Sequence, residues 1–132
     1  MTALLEESQR LVSLAKADRD AFLWLLQGPG LRPAAAFFFA QQSAEMALKA
    51  VMTVRGLVPS RTHNLLALAA ELNAAGVFTP QTPDELAVLN PYAVTQRYDD
   101  EELSLVTPDH ARQIVQAVLE WAERQVASQL PR

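Results

Sequence analysis

Glu45 stands four residues before Lys49, the order in which a carboxylate and an ammonium on one helix face attract each other best. At about 100° per residue, Gln42 lies within about 60° of both, so the three form one polar stripe. Such a stripe is either a narrow solvated edge or a polar seam lining a groove or a subunit interface, where paired charges and amides are held out of bulk water. His63 follows Arg61 in a segment leading into a later helix. A histidine placed there donates to a carbonyl or caps a helix end, and acid–base chemistry would require a partner within hydrogen-bond reach.

Arg97-Tyr98 precedes Asp99-Asp100-Glu101-Glu102. Adjacent carboxylates repel one another in a dry site, so this run reads as a solvated loop, and its spacing is no recognised magnesium loop. His110 falls in a first helical turn, where the helix dipole disfavours positive charge, and it reads as structural. The two histidines show no His-x-x-His or His-Glu-x-x-His spacing, so no metal site is expected. The chain has no cysteine, which excludes disulfides, thiolate zinc sites and thiol nucleophiles. There is no phosphate-binding glycine loop and no Gly-x-Ser-x-Gly elbow, and no cofactor is implied.

The formal charge of −4 opposes the broadly basic field of non-specific nucleic-acid binders, although a local basic patch is compatible with it. Only Lys16 and Lys49 among the cations are lysines. Arginine favours bidentate phosphate or carboxylate contacts, and arginine usage also follows genomic composition. Met1 to Glu7 has neither the basic start nor the apolar core of a secretory signal. The apolar run from Pro33 to Ala40 is far short of the ~20 residues that span a bilayer. A cytoplasmic protein without membrane association is the expectation.

Five helical segments would position these groups. Leu4, Leu11, Ala15, Phe22 and Leu26 recur at steps of seven and four, predicting a helix over about residues 3 to 27 that Gly28-Pro29-Gly30 stops. A second helix begins near Pro33, is apolar on every side from Ala34 to Ala40, and ends at Gly56. The third starts at Thr62 or His63 and buries Leu65, Leu68 and Leu72 before Gly76. Thr82-Pro83-Asp84-Glu85 forms a capping box for a fourth, which Pro91 should kink or break near Asn90. Thr107 caps a fifth, whose apolar stripe runs from Ala111 to Val126. No strand pattern occurs, so the fold class is all-α, an up-and-down antiparallel bundle of four to five helices in a single domain over residues 1–132.

Ala40-Gln41-Gln42-Ser43-Ala44-Glu45-Met46-Ala47-Leu48-Lys49-Ala50, followed by His63-Asn64-Leu65, strongly resembles the HEPN domain family. Leu14 to Ala21 is similar to that family's first-helix pattern, and Tyr92 with Arg97-Tyr98-Asp99 to its late Tyr and Arg-Tyr-Pro-Asp segment. The resemblance implies a helical bundle, frequent homodimerisation, and pairing with a minimal nucleotidyltransferase in small prokaryotic operons, commonly of toxin–antitoxin type. Many such domains are metal-independent endoribonucleases that use Arg-x(4–6)-His across a dimer cleft.

This sequence departs from that motif. Arg61 and Arg55 precede His63 by one and seven intervening residues, and Arg97 precedes His110 by twelve. Met46 stands where the family often carries lysine, and Asp99 replaces the proline of Arg-Tyr-Pro-Asp. The resemblance is therefore closer to members that bind nucleotides or partner a nucleotidyltransferase, with Gln42, Glu45, Lys49, His63, Arg97 and Tyr98 as the ligand-binding set. The alternatives are an endoribonuclease using His63 with Arg61 or Arg97 across a dimer cleft, and an interaction scaffold that binds neither nucleotide nor RNA.

Overall fold

The computed structural model describes residues 2–28, 33–93 and 106–130, and these form a helical bundle without strands. In chain order the elements are α1 (Ala3–Gln27), α2 (Pro33–Val54), α3 (Leu65–Ala74), α4 (Pro83–Leu86), a 3₁₀ segment (Ala87–Ala93) and α5 (Pro108–Ala127). Polar caps set the starts. Thr2, Asn64 and Thr107 each accept a main-chain N–H of the first turn through the side chain, pairing donors that helix geometry leaves open. Thr82 and Glu85 make the reciprocal capping box of α4.

α2 is the central helix, packed on α1, α3, α5 and the 3₁₀ segment. Ala36, Ala40, Ala44, Ala47 and Ala50 are all buried, and such small side chains let neighbouring helices approach closely. The Ser43 hydroxyl, itself fully buried, donates to the carbonyl of Ala15 at 2.8 Å and ties α2 to α1. Nearer the loop that joins them, Phe22 packs on Phe37, whose other edge meets Tyr92 of the 3₁₀ segment at a 5.0 Å centroid separation. As residue numbers rise along α1 they fall along α2, so the pair is antiparallel. α1 is antiparallel to α5 as well, with residues 9–16 beside 123–130 and residues 19–23 beside 112–123.

Three local expectations are adjusted. Leu5 rather than Leu4 is the buried residue of the first turn, and Leu4 is exposed. α3 starts at Leu65, later than Thr62 or His63, because Asn64 caps it with its side-chain oxygen. The fourth helix is a single α turn followed by a 3₁₀ segment with Pro91 inside it. Proline lacks the N–H that a continued α-helix needs and clashes with the turn before it, so the chain tightens instead. Among the described residues no helix is long and apolar enough to cross a membrane.

Candidate functional site

α2 ends at Val54, and two residues on Gly56, with a φ of +78°, reverses the chain. The Leu57 N–H returns to the Met52 carbonyl at 2.8 Å and the Gly56 N–H to Thr53 at 3.0 Å, the paired bonds of a Schellman closure. This turn sends residues 57–64 back along the face of α2 that carries the polar residues. The returning segment is pinned by side chains. Ser60 donates to Glu71 at 2.7 Å, and the Asn64 N–H donates to the Thr62 hydroxyl at 3.1 Å. From the 3₁₀ segment, Asn90 accepts the Leu65 N–H at 2.8 Å and donates to Asn64 at 2.9 Å.

Glu45 lies at the centre of what this arrangement assembles. Its side chain is 1% exposed. Oε2 receives the Lys49 ammonium at 2.8 Å, while Oε1 accepts both a Gln41 side-chain N–H at 3.1 Å and His63 Nδ1 at 2.9 Å. A carboxylate can only accept, so the contact assigns the proton to His63 Nδ1. The imidazole is 68% exposed, and with Nδ1 engaged, Nε2 is the nitrogen left for a ligand. The Gln41 amide nitrogen donates a second time, to the His63 main-chain carbonyl at 2.8 Å. An open cavity of about 310 Å³ adjoins the ring, lined by Thr62, His63, Asn64, Asn90 and Ala93.

Of the sequence-derived set, Glu45, Lys49 and His63 are joined directly. Gln42 is half-buried and makes no side-chain hydrogen bond among the described residues, and Arg61 is exposed with no ion pair among them. Arg97, Tyr98 and the acidic run from Asp99 to Glu102 lie outside the described residues. Gln41 was missed by the sequence reading. Its signal was the spacing of four that it shares with Glu45 and Lys49. Among the described residues no group of three or more His, Cys, Asp or Glu could hold a metal ion. A larger cavity of about 380 Å³ between α1 and α5 contains none of these residues.

Asp18 of α1 adds a second carboxyl to the neighbourhood. Burial holds its pKa above the ordinary carboxylate value, and the charge on Glu45 pushes it the same way. A raised acid binds its proton more tightly folded than unfolded, so its ionisation costs stability as pH rises through the carboxylate range, and the cost is absent below that range. Asp18→Asn should therefore raise Tm at pH 7 and give no gain at a pH where both states are protonated. Thermal melts of both proteins across that interval check this, and a gain independent of pH would contradict it.

The family model described as HEPN domain matches residues 8–125. No curated protein and no solved structure gives a significant match.

Proposed function

The chain belongs to the HEPN domain family, and from that premise we propose that it acts as one nucleotide-binding module, without catalysis of its own, built around the Glu45–Lys49–His63 cluster. The observation that carries this reading is a buried carboxylate holding an ammonium and an imidazole together, with the imidazole lining an open cavity. Lys49 is 15% exposed, so its charge is incompletely hydrated and ready for a phosphate oxygen. Glu45 orients Lys49. Arg97 supplies a second cation, Tyr98 stacks on the base and Gln42 donates a hydrogen bond. The same module serves as partner to a minimal nucleotidyltransferase encoded beside it in a toxin–antitoxin type operon.

The proposal includes a homodimer. On α2, Ala35, Phe38, Phe39, Gln42 and Met46 are exposed or half-buried, whereas most other positions are buried. These five fall within about 100° of helix surface. On α1, Leu14 is 41% and Trp24 is 74% exposed. The apolar stripe on α2 suits a second copy, and a twofold contact across it presents the same patch on both sides. Lys49 falls in the same sector of α2, so the partner subunit would border the cluster.

Calorimetry with ATP and other nucleotides, on samples whose mass is read by sedimentation, tests this reading. A dimer binding nucleotide, with affinity reduced at least about tenfold by Lys49→Ala, is the expected result. A monomer without affinity would remove the proposal. If Lys49→Ala changes stability or assembly but no binding constant, the scaffold reading takes its place.

One observation favours a second reading, a metal-independent endoribonuclease. The hydrogen bond from His63 Nδ1 to buried Glu45 fixes the ring and leaves Nε2 for a proton, as a general acid or base requires. Arg61 or Arg97 from the partner subunit would then stabilise the phosphorane, in the absence of the usual Arg-x(4–6)-His spacing. In that case His63→Ala should lower RNA cleavage by ~10² to 10⁴. Cleavage at the wild-type rate in the variant would exclude His63 from the chemistry.

A further inference from the structure

Gln41 is 1% exposed, and the two hydrogen bonds of its amide nitrogen reach different parts of the site: the Glu45 carboxylate at 3.1 Å and the His63 main-chain carbonyl at 2.8 Å. Both neighbours accept, so the orientation of the carboxamide is settled, since a flipped amide would bring its oxygen against two oxygens. The consequence falls on the other atom. Oε1 of Gln41 is buried and has no hydrogen-bond partner among the described residues. An unpaired buried carbonyl costs stability, so what the Gln41 amide contributes rests on the two bonds its nitrogen makes.

We propose that Gln41 is a positioning residue: its amide nitrogen ties the buried Glu45 carboxylate to the main chain at His63, fixing the imidazole with Nδ1 inward and Nε2 outward. A ring that is 68% exposed has few packing contacts to hold it. Without the tether, the bonds of Ser60, Thr62 and Asn90 still pin the flanks of the segment, but the Glu45 contact is the one hydrogen bond left to orient the ring. The neutral imidazole then takes up the alternative Nε2–H form more often, and Nε2 is lost as an acceptor. This inference deepens the binding-site reading above, but it concerns the protein without ligand. Its failure is therefore distinct from a failure to find nucleotide affinity.

The test is nitrogen-15 NMR of the His63 ring at a pH where the ring is neutral, in wild type and in Gln41→Met, with thermal melts of both. Wild type should show the Nδ1–H form. The variant should show the ratio of Nδ1–H to Nε2–H reduced about fivefold, the scale of one net hydrogen bond. A merely structural Gln41 would change Tm and leave the ratio alone, which overturns the proposal. Should Gln41→Met fail to fold, hydrogen exchange of the Gln41 side-chain amide in wild type decides instead. Protection supports the tether, and exchange as fast as that of a free carboxamide removes it.

Discussion

A carboxylate that is 1% exposed on the central helix of an apolar bundle is the constraint on which the rest of the site depends. Taking such a charge out of water costs several kcal/mol unless its lone pairs are satisfied and an opposite charge stands beside it. Glu45 meets this with three donors: Lys49 from the next turn of its own helix, Gln41 from the turn before, and His63 from a segment that folds back over α2. The first two are local and cost little loop entropy. The third, together with the bond from Gln41 to the His63 carbonyl, ties chain beyond the helix to this carboxylate and helps set where the cavity beside His63 opens. A buried pair of this kind is weak evidence of stability. The imidazole that Glu45 also holds lines an open cavity, which suits a site better than a core.

The surrounding scaffold is arranged to make that return possible. The positive φ of Gly56 turns the chain without strain, and Asn64 and Asn90 lock the far end of the segment by pairing with the first N–H groups of α3 and with each other. Asn90 belongs to the 3₁₀ segment that Pro91 imposes, so the proline that prevents a long fourth helix also sets one wall of the cavity. On the opposite side, the alanines of α2 bring α1 close enough for Asp18 to sense the charge of Glu45.

Periodicity made the helices legible because it reports burial along one element. The α5 row, the Thr82 capping box and the stops at Gly56 and Gly76 are local patterns present in the structure, and the α1 row holds at Leu11, Ala15 and Phe22 but not at the exposed Leu4. Glu45 with Lys49 was legible for the same reason. The choice between Gln41 and Gln42 was not. Both lie within about 60° of Glu45 on a helical wheel, and only the course of the returning segment decides which of them is covered. Asp18 was equally invisible as a neighbour of Glu45, since the two meet through the packing of α1 on α2. Leu65 begins α3 instead of Thr62 or His63 because Asn64 competes for the cap, and several side chains in that stretch could have served.

The central claim is that Glu45 makes Lys49 and His63 a single site. NMR titration of the wild-type protein with ATP, following the Lys49 side chain, the His63 ring and the Gln41 carboxamide together, tests it most directly. All three should shift along one saturation curve with one Kd. Separate curves for Lys49 and His63, or shifts confined to the α1–α5 cavity, would contradict it.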